Sequence, residues 1–377
     1  MARQISVAAF AITTIIAIFF GILFTPNGIP GIFHWAPNLH PILIGFNPSF
    51  AQSKHHIQRL RSLLHTIDLR RQHALVTGSN SGIGYEISKL LYRQGAHLTM
   101  VCITEQLCDE AMERIRNEQY DDDGDINYSR EATVSSLIMD LSSLQSVQSA
   151  ATTFLQRNTK LDMMFLNAGI YTAVDKFDST KQLPLSVDGI EKVFATNVVG
   201  HHLLYCTLEP LLLKSNMARV VYTSSFMSYN PSLFFGHHDI FPTDLQSLNA
   251  GDSSWVQSVL TYSRSKLALI LLTKSMVRRL QEQNVTNVYI NAANPGLVRS
   301  PMQYDILGPL PSRYYRISKW IQDYQSMWTP MDASLTLLYL GVAIDDIQHT
   351  NINGKFYSPV AVEVVSPPEI SMNEKIQ

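Results

Sequence analysis

The stretch Thr77-Gly78-Ser79-Asn80-Ser81-Gly82-Ile83-Gly84 decides the fold. A short apolar run, His73 to Thr77, leads into it, and a segment with helical spacing, Gly84 to Gln94, leads out. A strand that ends in glycines and opens a helix suits a dinucleotide pyrophosphate. The glycines allow a sharp turn and a close approach of backbone to phosphate. The helix start adds unpaired N–H groups and partial positive charge. Three residues separate Gly78 from Gly82, and Gly84 follows. That spacing differs from the GxGxxG of the general dinucleotide fingerprint.

Outward from this motif the chain alternates. Strand-like segments are His97 to Ile103, Ser135 to Leu141, Leu161 to Asn167, Arg219 to Ser224 and Val288 to Ala293. Helix-like segments are Glu105 to Asn117, Leu144 to Arg157, Asp188 to Lys214 and Tyr262 to Gln283. Alternation of this kind predicts an α/β fold, a Rossmann-type doubly wound parallel sheet covered on both faces. The run Asp121-Asp122-Asp123-Gly124-Asp125 lacks an ordered twelve-residue calcium-ligand series and reads as a solvated loop.

Further stations follow in order. They are Asp140-Leu141, Asn167-Ala168-Gly169, Asn197 within Thr196-Asn197-Val198-Val199-Gly200-His201, Ser224-Ser225, Tyr262-Ser263-Arg264-Ser265-Lys266 and Asn294-Pro295-Gly296. Together with the TGxxxGxG spacing they resemble the short-chain dehydrogenase/reductase family over about residues 70 to 360. The resemblance implies an NAD(P)-dependent oxidoreductase. It implies that the cofactor touches Gly78, Ser79, Asn80, Ser81, Gly82, Ile83 and Gly84. Asp140 and Leu141 would lie near the adenine, with Asn167, Ala168 and Gly169 beyond them. Pro295, Gly296, Val298 and Ser300 would lie toward the nicotinamide, and Tyr262 and Lys266 would touch it as well. Leu166 stands where the family usually has a further Asn, a departure from its pattern.

Catalysis is expected at Asn197, Ser225, Tyr262 and Lys266. Tyr262 and Lys266 are four residues apart on an expected helix, so both project from one face. Reduction of a carbonyl needs a proton donor at the oxygen. A free tyrosine has a pKa of about 10, and a neighbouring ammonium lowers it toward neutrality. The resemblance gives Lys266 the ribose hydroxyls, Ser225 the substrate oxygen and Asn197 a water leading to Lys266. Ser224 is adjacent and competes for the Ser225 role.

At the end of the second strand, Val101-Cys102-Ile103-Thr104 carries no acidic residue for an NAD ribose, and Ile103 stands where many NADP-preferring relatives have Arg. NADP is the narrow preference, with NAD open.

The first twenty-residue uncharged run, Ile5 to Phe24, matches the length of a membrane-spanning helix. A cleaved signal peptide competes, but the run is long for one and Thr25-Pro26-Asn27-Gly28 is a poor cleavage site. Ile29 to Phe50 is again uncharged, and Pro30, Pro37, Pro41 and Pro48 argue against a second straight span. Phe33 and Trp35 suit either a membrane interface or a packed linker. Ile57 to Leu69 reads as a short basic amphipathic helix. The expected layout is therefore an anchor over 1–25, a linker with that helix over 26–70, a catalytic domain over 71–360 and a tail over 361–377. Arg3 alone flanks the run closely, which taken literally points the domain to the lumen. Asn127-Tyr128-Ser129 and Asn284-Val285-Thr286 are glycan acceptor triplets. The cytosolic supply of NADPH, and a crowded setting expected for Asn284, favour a cytosolic domain on the endoplasmic reticulum.

A net charge of −2 gives no reason for a nucleic-acid partner. Three cysteines make no disulfide framework, and Cys102 reads as a buried small hydrophobe. His201, His202, His237 and His238 lack the spacing of metal ligands, so no metal is expected. Long stretches at Phe226 to Thr261 and Gln303 to Trp328, the second rich in Tyr and Trp, suit a hydrophobic small-molecule substrate. Leu166 to Ile170, Thr196 to His201 and Leu208-Glu209-Pro210-Leu211-Leu212 look similar to the 3-keto-steroid reductase and 17-beta-hydroxysteroid dehydrogenase group. Asp244-Leu245-Gln246 and the Tyr262 helix look similar to the retinol dehydrogenase group. A sterol ketone is expected first and a retinoid or polyprenoid next. A homodimer is an open expectation. A sugar-nucleotide epimerase is disfavoured by the glycine spacing, and a non-catalytic scaffold by the intact Ser, Tyr and Lys.

Overall fold

The computed structural model describes residues 51–118, 131–171, 182–229, 244–251, 255–299 and 328–364. All of them belong to the compact unit from Ile44 to Gln377. Ile5 to Phe24, the Pro-rich stretch to Phe50, Asn127, His237, His238, Ser300, most of Gln303 to Trp328 and the tail lie outside the described residues. Among the described residues no helix is long and apolar enough to cross a membrane.

The elements in order are α1 (Ala51–His65), β1 (His73–Thr77), α2 (Gly82–Arg93), β2 (His97–Cys102), α3 (Glu105–Asn117), β3 (Thr133–Ile138), α4 (Leu144–Arg157) and β4 (Met163–Leu166). Then come α5 (Lys192–Phe194), a π-helical turn (Ala195–Val199), α6 (Gly200–Leu212), β5 (Ala218–Thr223), α7 (Leu245–Asn249), α8 (Trp255–Glu282) and β6 (Val288–Ala293). The described chain closes with α9 (Pro330–Val342), α10 (Ile344–His349), β7 (Phe356–Ser358) and β8 (Val362–Glu363).

Eight strands form one sheet in the order β3-β2-β1-β4-β5-β6-β7-β8. All pairs are parallel except β7 with β8. Val76, Phe165 and Val221 stand side by side on β1, β4 and β5. Every residue of β4 and β5 is buried, as expected of strands covered on both faces. β3 lies at the edge and alternates toward solvent instead. The chain order reverses between β1 and β4, so their carboxyl ends, Thr77 and Leu166, open a crevice at the switch point.

The structure differs from the sequence expectations at several places. α8 begins at Trp255, so Tyr262 lies two turns inside the helix and not at its start. β3 ends at Ile138, which leaves Asp140 in the following loop. The long helix expected from Asp188 begins only at Lys192. Gly189 turns the chain at φ +74°, and the Glu191 carboxylate accepts from Val193 N and Phe194 N at 2.9 and 2.8 Å. Cys102 is buried as expected, but it is disulfide-bonded to Cys108 across the β2–α3 junction. Asn284 is exposed, in the left-handed region at φ 57° after α8, so the crowding expected there does not exist. The helix expected at Ile57 to Leu69 runs from Ala51 to His65. It buries Ile57, Leu60 and Leu64 in the core, while its Arg61 pairs with Asp332 at 2.6 Å.

α9 has no amphipathic stripe because Ala333 through Leu338 and Leu340 through Val342 are buried. It lies so close to β4 that a Cβ at Gly341 would stand 2.2 Å from Phe165 Cζ. Buried Arg219 on β5 donates to Gly341 O at 2.7 Å and to Gln72 Oε1 at 2.6 Å, which ties α9 to the sheet.

Candidate active site

The glycine loop bends from β1 into α2. Gly82 and Gly78 have φ of +56° and +63°, and a Cβ at Gly84 would fall 2.2 Å from Gly78 O. Only glycine allows that approach. Gly82-Ile83-Gly84 forms the first turn of α2, and Ser81 precedes it without capping it through its side chain. The first-turn N–H groups are thus left for an anion. Ser79 is buried, and its Oγ donates to Val101 O at 3.2 Å, joining the loop to β2. Asn80 carries its carbonyl to the α3 side, where Arg114 Nη2 donates to it at 2.7 Å.

Thr77 organises the switch point. Its Oγ1 accepts from Asn167 N at 2.9 Å and from Ala168 N at 3.0 Å. It also meets His201 Nε2 at 2.9 Å, and His201 Nδ1 lies 2.9 Å from Asn197 O. A carbonyl only accepts, so Nδ1 carries the proton and Nε2 accepts from Thr77. Burial pushes the His201 pKa down to about 4, which keeps it neutral. His201 therefore joins β1, the Asn167 turn and the π-helical turn. Among the described residues no metal-binding cluster occurs.

Three groups converge beyond Asn167-Ala168-Gly169. A Cβ at Gly169 would stand 3.3 Å from Lys266 Nζ and 3.4 Å from Asn197 Oδ1, so the backbone there packs closely against both. Asn197 sits in the π-helical turn. Its Oδ1 accepts from Ile170 N at 2.8 Å, and its Nδ2 donates to Ile170 O and Ser265 Oγ at 3.1 and 3.0 Å. Lys266 is buried and donates to Thr223 O at 2.8 Å. Desolvation pushes its pKa down to about 8.

Ser224 and Ser225 separate clearly. Ser224 Oγ donates to Lys266 O at 2.7 Å and holds the helix to β5. Ser225 Oγ accepts from Met227 N at 3.2 Å and lies near the Tyr262 side chain. Burial pushes the Tyr262 pKa up to about 12, and the Ser225 hydroxyl opposes that only in part. The lowering by an ammonium expected from sequence is not the leading effect. Lys266 Nζ lies 5.5 Å from the centroid of the Tyr262 ring, over its face, and is itself partly desolvated.

One neighbour escaped the sequence reading. Tyr171 meets the Tyr262 ring edge-on at 5.7 Å, and its buried hydroxyl has no hydrogen-bond partner. Ile170, Val193, Met227 and Val259 complete an apolar wall around this pair. Its position two residues after Gly169 was the available signal.

Other expected cofactor contacts sit farther out. The Asp140 carboxylate is engaged in its own loop, accepting from Ser142 N and Oγ at 2.8 and 2.7 Å. Leu141 O packs on α6, where a Cβ at Gly200 would meet it at 2.2 Å. Pro295, Gly296 and Val298 lie just after β6, with Gly296 N donating to Asn294 Oδ1 at 2.9 Å. Val298 bridges to Trp328, which is fully buried.

An uncapped helix start beside close-packed glycines, and a buried lysine packed against Gly169, fit the pyrophosphate and ribose of a nicotinamide dinucleotide. Comparison with known proteins agrees. The family profile for short chain dehydrogenase matches residues 72–237. Retinol dehydrogenase 14 of Mus musculus is 30% identical over 303 residues, 80% of this chain and 81% of its own. The WW domain-containing oxidoreductase of Homo sapiens is 33% identical over 228 residues, 59% of this chain and 48% of its own. The oxidoreductase yciK from E. coli superposes with a TM-score of 0.53 over 77% of this chain and 95% of its own, at 21% identity, and so supports the fold. The chain belongs to the short-chain dehydrogenase family and is an NAD(P)-dependent dehydrogenase/reductase.

Proposed function

We propose that this enzyme interconverts a carbonyl and an alcohol on a hydrophobic substrate, with Tyr262, Ser225, Lys266 and Asn197 as its working residues. The observation that carries this reading is the buried Tyr262 phenol beside Ser225 and under Lys266 Nζ, at the switch point of the sheet. The bound nicotinamide supplies or accepts the hydride. Tyr262 holds the proton destined for the substrate oxygen. Ser225 donates a second hydrogen bond to that oxygen. Lys266, buried beside Gly169, would hold ribose hydroxyls. Asn197 positions the Ile170 backbone and Ser265 and so keeps the surroundings of Lys266 fixed.

The apolar wall of Ile170, Tyr171, Val193, Met227 and Val259 supports a lipid-like substrate. A sterol ketone led on sequence alone. The relatives called retinol dehydrogenase, at 30% and 29% identity, move a retinoid or polyprenoid carbonyl ahead of it. A non-catalytic scaffold would have no need to bring Ser225, Tyr262 and Lys266 together. Full-length protein in detergent, assayed with NADPH and NADH against retinal and sterol ketones, tests the ranking. A higher kcat/KM for retinal is expected. A higher value for the sterol ketone restores the first order, and no turnover with either overturns the reading.

Ile5 to Phe24 is taken as an anchor to the endoplasmic reticulum. A cytosolic domain follows from NADPH supply. Exposed Asn284 and the Cys102–Cys108 bond, of a kind that persists in oxidising compartments, favour the lumen instead. Protease protection of intact microsomes with a glycosidase mobility shift decides between them. Digestion without a shift supports the cytosolic side, and protection with a shift the lumenal one.

A further inference from the structure

β2 ends at Cys102, and the next two residues, Ile103 and Thr104, offer neither a carboxylate nor a cation before Glu105 opens α3. The Ile103 side chain is 59% exposed. The Thr104 hydroxyl caps α3 by accepting from Leu107 N. The two residues directly after the strand, where a ribose 2′ position is read, thus carry no charge to read it with.

A cation reaches the same edge from three turns along α3. Arg114 folds back to the glycine loop, and its Nη2 donates to Asn80 O at 2.7 Å. Its guanidinium lies 4.4 Å from the centroid of the Tyr85 ring, which fixes its plane. The other cations of this flank are engaged elsewhere. Lys89 pairs with Glu86 at 2.8 Å and Glu118 at 3.1 Å. Arg116 donates to Val134 O. Arg114 is exposed and has no carboxylate partner among the described residues. A guanidinium has five N–H donors, and the contact with Asn80 uses only part of them.

The helix bearing Arg114 is fastened to the end of β2 by the Cys102–Cys108 bond. The glycine loop is fastened to the same strand by Ser79, whose N and Oγ both reach Val101 O. Loop, strand end and Arg114 thus form one frame, with a planar, permanently charged fork at its outer rim. A fork of that kind suits a phosphate held by two parallel hydrogen bonds.

We infer that Arg114 receives the 2′-phosphate of NADP, supplying from α3 the charge that the end of β2 lacks, and that it sets a preference for NADP(H). The inference rests on the dinucleotide reading above and adds the residue that chooses between the two cofactors.

Binding, without substrate, tests it. Nicotinamide fluorescence titrations of full-length protein in detergent give the affinities of NADPH and NADH, and adenosine 2′,5′-bisphosphate against ADP isolates the 2′-phosphate. Wild type is expected to bind NADPH and the bisphosphate more tightly than their partners. Arg114→Ala should weaken both by about tenfold and leave NADH and ADP within about twofold, with an unchanged melting temperature in the absence of nucleotide. Arg114→Lys should keep part of the preference, since a point charge remains. Equal weakening of NADPH and NADH would make Arg114 only a support of the loop and overturn the proposal. No wild-type preference for NADPH would overturn it too. Wild type that binds neither dinucleotide would overturn it together with the dinucleotide reading itself.

Discussion

Two ends of one crevice are built differently. At the β1–β4–β5 end, Thr77, His201, Asn197, Ser224 and Lys266 are buried, and each polar group is fixed by a named partner. At the β2–α3 flank, Ser81, Ile103, Thr104 and Arg114 are exposed, and Arg114 is held by a hydrogen bond to Asn80 O and by the face of Tyr85. The first end can hold a reacting geometry because its polar groups have no competing solvent. The second can change cofactor preference without disturbing the core. Chemistry and selectivity are separated by depth of burial, and substitutions at the two ends should separate in the same way.

The largest effect belongs to Tyr262→Phe. Turnover should fall by about a thousandfold or more, because the proton donor is gone, while nucleotide affinity changes little. A matched loss of nucleotide affinity would erase the contrast between the ends.

Next comes His201. Its folded pKa of about 4 lies below the ordinary histidine value of 6.5. The unfolded chain therefore binds more protons between those values, and stability is full above about 6.5 and falls as pH drops toward 4. His201→Ala should cost about 3 kcal/mol at neutral pH, from the cavity and the unpaired Thr77 and Asn197 groups. It should also flatten that acid limb in chemical denaturation. An unchanged limb would mean that another group controls it.

Lys266 sharpens the same point, with the same sign of linkage in a higher pH window. Its folded pKa is pushed from 10.5 down to about 8. The ammonium is thus carried at a cost of about 3 kcal/mol below pH 8, and stability recovers as pH rises from 8 to 10.5. Lys266→Met should lose activity yet narrow or reverse its stability deficit at pH 7 relative to pH 10. A deficit that grows toward pH 7 would contradict the desolvated lysine.

The smallest expected effect is at the flank. Replacing Cys102 and Cys108 by Ala should cost about 2 kcal/mol, since the closed loop is short. Alkylation of the denatured, unreduced protein should label Cys206 alone. Labelling of three cysteines would remove the tether of α3.

What the sequence made legible follows the same division. The glycine loop and the Tyr262–Lys266 pair are local patterns, β4 is apolar throughout and β5 is mostly so, and all could be read from neighbouring residues. Arg114 could not, because its role depends on α3 folding back to a loop thirty-four residues earlier. The His201–Thr77 bond spans 124 positions and left no local mark. α9 was missed because a helix buried on every side has no periodicity to detect. β7 and β8, of three and two residues, are too short to show alternation. The π-helical turn at Ala195–Val199 hides inside a sequence that reads as plain helix.

The central claim is that the buried Tyr262 site passes hydride between a bound nicotinamide and a hydrophobic carbonyl. A single-turnover experiment tests it most directly. Protein preloaded with NADPH is mixed with excess retinal, and the reduced-nicotinamide absorbance is followed in wild type and Tyr262→Phe. The account predicts one rapid, stoichiometric loss in wild type, and a variant that holds the same nucleotide unreacted on that timescale. Equal loss in both proteins, or a saturated wild-type complex that reduces neither retinal nor a sterol ketone, would contradict it.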